Sequence, residues 1–301
     1  MSDFIAWFDE LTKQDVPLAG GKGANLGEMR HAGLPVPPGF VVTAMAYRTF
    51  LDEAGLRQEL DRWLNALNID DRAALEQAAD RIQMRIRDAP VPSTVHRAIT
   101  EAYRELCRRQ DGGELLVAVR SSATMEDTEQ ASFAGMNQSF LNVRGDEELI
   151  DRVKDVWASL FSPRVVFYRK RLNLPGEPEI AVIIQAMVNA TKSGVAFSIE
   201  PATGAKDTIV IEAAPGLGEV VVQGAVEPDH YAVAKADLAI KDVHVGHKQF
   251  MLTRDASGRT VEVQLPPERA DARVLSDGEI RAVAELVCRD EAHYGVPQDI
   301  E

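Results

Sequence analysis

LLVAVRSSATMEDTEQASFAGMNQSFLNV (115–143) changes character abruptly at its sixth residue. Leu115 to Val119 is a short apolar run, and Arg120-Ser121-Ser122-Ala123-Thr124 follows it without a turn residue. That layout predicts a buried strand delivering functional groups into a loop at its end. Arg120 is the first of those groups, and its planar guanidinium can take two phosphate oxygens at once, as the ammonium of lysine cannot. Farther on, Ser132 to Ser139 is a run of small residues able to fold over a polyphosphate. Taken separately, each segment also reads as an ordinary surface loop.

Toward the N-terminus, Gly20-Gly21-Lys22-Gly23-Ala24-Asn25-Leu26-Gly27 reads as a glycine-rich loop running into a short helix. Its glycines let backbone N–H groups approach oxygens, the helix adds its positive end, and Lys22 adds a full charge. The spacing is not that of a P-loop, since no Ser or Thr follows Lys22 to hold magnesium. Spacing alone leaves a plain glycine turn with an exposed lysine equally open.

The intervening sequence is helical. Leu75, Ala78, Ala79, Ile82 and Ile86 share one helical face within 71–89, and Val95, Ile99, Ala102 and Leu106 share another within 93–106. Ala46, Phe50 and Leu51 mark an earlier helix; Ile150, Val153, Val156, Trp157, Leu160 and Phe161 mark a later one. From Ile180 the texture turns to short β-rich runs at 180–188, 195–199, 208–214, 231–234, 243–245 and 261–265, separated by Gly, Pro and Asp. Ser276 and Glu279 form a capping-box pattern before a closing helix with Ile280, Val283, Leu286 and Val287 on its apolar face. These patterns predict an α+β chain with a helix-rich first lobe, 1–184, and a sheet-rich second lobe, 185–301.

At the far end, Asp299 and Glu301 are two residues apart, so an extended strand would point both carboxylates to one face, where hard oxygens can share magnesium with phosphates. A solvated, frayed terminus is the competing reading. His244 and His247 have the spacing of a metal pair but no third ligand nearby in sequence. Cys107 and Cys288 lie far apart and fit a reduced, cytoplasmic setting better than a disulfide framework. A formal net charge of −14 argues against a nucleic-acid surface, so an anionic substrate must be held by local cations. No window approaches the roughly 20 apolar residues of a membrane span, and the first residues do not read as a signal peptide.

GGKGANLGEM (20–29), VPPGFVVTAMAY (36–47), VAVRSSATMEDTEQASFAGMNQSFLNV (117–143), QAMV (185–188) with SGVAFSIEPATG (193–204), and PGLGEVVVQGAVEPDHY (215–231) together resemble the ATP-binding domain of the phosphoenolpyruvate synthase and pyruvate phosphate dikinase family. The likeness covers nearly the whole chain, in the family's order. It implies an ATP-grasp-like, two-lobed nucleotide-binding domain with ATP and Mg2+ as ligands. By position, Lys22 and Arg120 would grip the ATP phosphates, and Gly135 and Ser139 would belong to the loop covering them. Ser139 stands where relatives often have threonine. Gln185, Met187 and Val188 would lie on the strand beside the adenine, with Asp299 and Glu301 as magnesium ligands; Glu212 and Glu219 face the same region or are structural.

The implied reaction is transfer of the β,γ-pyrophosphoryl group of ATP to a carrier histidine, with release of AMP, as in a pyruvate, water dikinase. The carrier histidine sits on a separate swivelling domain in this family, and none of the six histidines here stands in its Thr-Ser-His setting. That domain is therefore expected elsewhere, in a longer protein or on another subunit, as is the pyruvate-binding domain. The family's acidic motif continues into a Gln and an Arg that this sequence does not reach. A related dikinase acting on a rifamycin antibiotic or a phenol, and a nucleotide-binding module without turnover, are the alternatives.

Overall fold

Residues 3–110, 112–124, 138–172, 178–255 and 258–301 are described by the computed structural model, which divides after Met187 into two units. The first unit runs through β1 (Ile5–Trp7), α1 (Val16–His31), β2 (Gly39–Val42), α2 (Ala44–Glu53), α3 (Arg57–Ala66), α4 (Arg72–Asp88), α5 (Ser93–Arg109), β3 (Val117–Ala123), β4 (Ser139–Val143), α6 (Asp146–Ser159), α7 (Pro163–Arg171) and β5 (Ile180–Ala186). Its strands form one antiparallel sheet in the order β1-β2-β5-β3-β4.

Strand alternation divides this sheet into two cores. Phe40, Val42, Val117, Val119, Val182 and Ile184 face the larger one, which α2, α4, α5 and α6 fill with Phe50, Ile82, Ile86, Ile99 and Trp157. Phe50 stacks on Trp157 with ring centroids 4.7 Å apart. Val41, Ala181 and Ile183 face the other way, onto Ala19 of α1 and onto Phe8 and Leu11. A strand covered on both faces cannot alternate, which is why 180–184 is an unbroken apolar run with every residue buried.

Helix boundaries follow capping chemistry. Asp71 accepts the Ala74 N–H at 3.0 Å at the start of α4, and Ser276 and Glu279 close the predicted capping box; such caps contribute about 1 kcal/mol each. The helix expected to reach Phe161 stops at Ser159, because Ser162 accepts the Val165 N–H and, with Pro163, starts α7. The glycine run is not a loop: it lies inside α1, which begins at Val16 and is broken at Gly20 (φ 70°, ψ 168°).

The second unit contains β6 (Lys192–Phe197), β7 (Thr208–Pro215), α8 (Glu219–Val222), β8 (Asp229–Ala234), β9 (Ile240–His244), β10 (Phe250–Arg254), β11 (Thr260–Gln264), α9 (Pro267–Ala270), α10 (Asp277–Tyr294) and β12 (Asp299–Ile300). Its main sheet is antiparallel in the order β12-β6-β7-β8-β9, and β10 and β11 form a separate hairpin. The α10 residues Ile280, Ala284 and Val287 cover one sheet face through Ile209, Ile211, Tyr231 and Val233. Lys248 and Asp229 form a fully buried ion pair. Asp229 also accepts Tyr231 Oη at 2.8 Å and the N–H groups of Gly246 and Val274. Those bonds satisfy a carboxylate that burial would otherwise make very costly.

The division falls after β5, whose last residues, Gln185 and Ala186, pair within the first unit's sheet. No helix among the described residues is long and apolar enough to cross a membrane.

Candidate functional site

In the first unit the site is built on β3. Arg120 lies directly opposite Ser139 of β4 on one side and Ile183 of β5 on the other. Residues opposite each other in an antiparallel pair share a face, and Ile183 packs toward α1. Arg120 and Ser139 therefore belong to the α1 face. Gln185, two residues beyond Ile183 and opposite Ala118, belongs to it as well. Arg120 is half-buried, and its side chain makes no hydrogen bond or ion pair among the described residues.

Ser122, two residues after Arg120 on the same face, accepts the N–H of Gly23 at 3.1 Å. The break at Gly20 starts a fresh helical segment, whose first N–H groups have no partner within the helix; Ser122 caps it from a distant strand. A Cβ at Gly20 would overlap the hydroxyl and carbonyl of Ser122, so the close approach and the left-handed φ both require glycine. Lys22 sits half-buried between Gly20 and Gly23 in this capped turn. The glycines thus hold the first turn of a helix against the end of the strand that carries Arg120. A positive helix end and two cationic residue types on neighbouring elements are the kinds of group an anion site uses.

The 185–188 stretch is closely tied down. The N–H groups of Ala186 and Met187 donate to the carbonyls of Pro38 (2.9 Å) and Leu116 (3.0 Å). Gln185 donates its amide to Pro37 O at 3.3 Å, and Met187 Sδ accepts the Asn142 N–H at 3.0 Å. The carbonyl of Val188, a residue of the second unit, accepts Arg254 Nη2 at 3.3 Å. Gly135 lies outside the described residues.

In the second unit, β12 pairs with β6, placing Asp299 opposite Phe197 and Ile300 opposite Ala196. Ile300 packs into the core beneath α10, so Asp299 points to the other face. Phe197 and Val195 share that face, and Glu212 is opposite Val195. Asp299 and Glu212 are thus on one surface, with His230 opposite Glu212 and His244 opposite His230. Glu301 follows β12, is exposed, and falls at the same alternation as Asp299. No group of three or more His, Cys, Asp or Glu capable of holding a metal occurs among the described residues. His244 and His247 each have a separate carboxylate, Glu227 at 3.3 Å and Asp271 at 2.7 Å.

The fold thus brings Lys22, Arg120, Ser139 and Gln185 into the first unit and places Val188, Asp299 and Glu301 in the second. It adds Ser122 and Arg254, which the sequence reading did not select. Ser122 stands beside Arg120 in sequence and the two-residue strand period puts it on the same face, but its partner is visible only in the fold. Arg254 lies in a strand the sequence reading missed, and no local pattern marks it.

Residues 16–301 match the family described as pyruvate phosphate dikinase, AMP/ATP-binding domain. A probable phosphoenolpyruvate synthase of Methanothermobacter thermautotrophicus is 47% identical over 302 residues, covering 100% of this chain and 44% of the relative. That of Methanocaldococcus jannaschii is 46% identical over 299 residues, covering 99% of this chain and 25% of the relative. The phosphoenolpyruvate synthase of Pyrococcus furiosus is 41% identical over 337 residues, covering 99% and 41%. The chain therefore spans less than half the length of these curated relatives.

Proposed function

This chain belongs to the pyruvate phosphate dikinase AMP/ATP-binding domain family, and from that we propose that it binds and activates ATP for a dikinase of the phosphoenolpyruvate synthase type, through an ATP-grasp-like domain whose two lobes are the two units. The observation that carries this reading is the α1 face of the first sheet. There Ser122 holds the Gly20 break against β3, two residues beyond Arg120, whose side chain has no partner among the described residues.

Lys22 and Arg120 neutralise the β- and γ-phosphates, and Ser139, opposite Arg120, adds a hydroxyl to the same row. With its residues 186 and 187 N–H groups already bonded, the 185–188 stretch acts as a fixed wall beside the adenine. Hard carboxylate oxygens such as those of Asp299 and Glu301 suit magnesium, which when bound adds charge neutralisation at the phosphates. A carrier histidine of another domain attacks the β-phosphorus through a ring nitrogen. The bond from that phosphorus to the oxygen bridging the α- and β-phosphates breaks, and AMP leaves with the electron pair. Such a step needs positioning and charge stabilisation more than covalent help from the protein.

In this reading the carrier and the pyruvate site lie outside this chain, which spans less than half of the curated relatives. The experiment is incubation of the chain with ATP, Mg2+ and a purified histidine domain of a related synthase. AMP formed only when that domain is present supports dikinase activation. ATP bound tightly without AMP reduces the chain to a nucleotide-binding module.

A further inference from the structure

The hairpin of β10 and β11 stands apart from the main sheet, and its inner face is set by strand alternation. Phe250 and Leu252 pack onto Val195, Ala214, Val220, Val221 and Val226. Arg254 has the same alternation and ends the strand on that side. The hairpin is bonded to the turn before α8 through its backbone: Leu217 N–H donates to Leu252 O at 2.8 Å. At Gly216 (φ 85°) a Cβ would overlap that same carbonyl. The position of β10 is thereby fixed against the turn that leads to Glu219.

Arg254 extends this attachment to a second segment by donating Nη2 to Val188 O at 3.3 Å. Its Nε is buried and has no hydrogen-bond partner among the described residues. Burial pushes the guanidinium pKa down and the nearby Glu219 carboxylate pushes it back up. A guanidinium stays charged regardless, so this position holds a partly desolvated cation where an apolar side chain would complete the Phe250 and Leu252 face.

We propose that Arg254 is a positioning residue for the base end of the nucleotide site, holding the Val188 carbonyl so that the segment beside the adenine has one conformation. This rests on the ATP reading given above. It assigns Arg254 no contact with the phosphates and no part in the transfer step.

The test is titration of the 301-residue chain and its Arg254→Met variant with ATP and with inorganic tripolyphosphate, which has no base. The variant is expected to bind ATP about tenfold more weakly, the loss of one charge-assisted hydrogen bond, and tripolyphosphate as before. A merely structural role would weaken both ligands together; that result, or wild-type affinity for ATP, overturns the proposal. Should Arg254→Met fail to fold by circular dichroism, Arg254→Lys carries the test. ATP weakened with tripolyphosphate unchanged supports the assignment, and any other pattern overturns it. If the unaltered chain binds no ATP, the parent reading fails and this inference with it.

Discussion

Ser122 and Gly23 are 99 positions apart in sequence and are joined by a hydrogen bond of 3.1 Å, the serine hydroxyl accepting the glycine N–H. The bond is buried, and it joins the strand that carries Arg120 to the helical turn that carries Lys22. Ser122→Ala leaves that N–H without its cap. The expected cost is about 1–2 kcal/mol of stability, read by urea unfolding, together with a severalfold loss of ATP affinity. Unchanged ATP affinity in a folded Ser122→Ala chain contradicts the role given to this bond.

Lys22→Ala and Arg120→Ala each remove a cation from the proposed phosphate site while leaving both apolar cores intact. Each is expected to weaken ATP binding about 10- to 100-fold, the range for a hydrogen bond to a charged group, with little change in melting temperature. Arg120→Lys should recover only part of the loss, since an ammonium cannot make the bidentate contact. Wild-type titrations for both alanine variants would sink the phosphate-site assignment.

Asp299→Asn and Glu301→Gln act on metal rather than nucleotide in this scheme. Magnesium titrations of ATP binding are expected to shift to higher concentration severalfold, as hard-oxygen ligands are lost, with ATP affinity restored at saturating metal. A magnesium dependence identical to the unaltered chain would remove these two carboxylates from the site.

The buried pair of Lys248 and Asp229 makes a prediction about stability alone. Lys248→Ala strands a carboxylate of 0% exposure, and breaking such a pair costs about 3–5 kcal/mol. Lys248→Met with Asp229→Asn should cost less than the sum of the single changes. A double-mutant cycle by denaturant unfolding measures the difference, and simple additivity would show that the two groups are not coupled.

Acid stability has an identifiable contributor. Hydrogen bonds from Lys192 and from the Ser276 cap hold Glu279 at about 2, below its ordinary 4.5. A carboxyl depressed in the folded state binds more protons when unfolded, so its stabilisation is complete above about pH 4.5 and is lost as pH falls toward 2. Glu279→Gln should therefore lower the urea midpoint at pH 7 and converge with the unaltered chain near pH 2–3. A constant difference across that range would assign the effect to packing.

Much of this was legible locally. Amphipathic periodicity gave α4, α5 and α10, the capping box gave the start of α10, and the β-rich run at 180–188 gave β5, which the structure ends at Ala186 and buries over 180–184. Local pattern failed where a partner distant in sequence decided the outcome. Glycines 20–23 look like a loop because glycine is a poor helix former, yet Ser122 and the packing of Ala19 hold them in α1. β10, with its polar residues and intermediate burial throughout, has no two-period signal strong enough to read.

By itself the sequence determined the identity of the groups: a lysine among glycines, an arginine at the end of an apolar run, a pair of spaced carboxylates, and the family to which the order of those motifs belongs. The tertiary structure decided which of them share a surface. Register does this, because strand residues alternate faces and a shift of one residue would turn Arg120 away from α1 and into the larger core. The bond from Ser122 to Gly23 follows from that register and from no pattern within either segment.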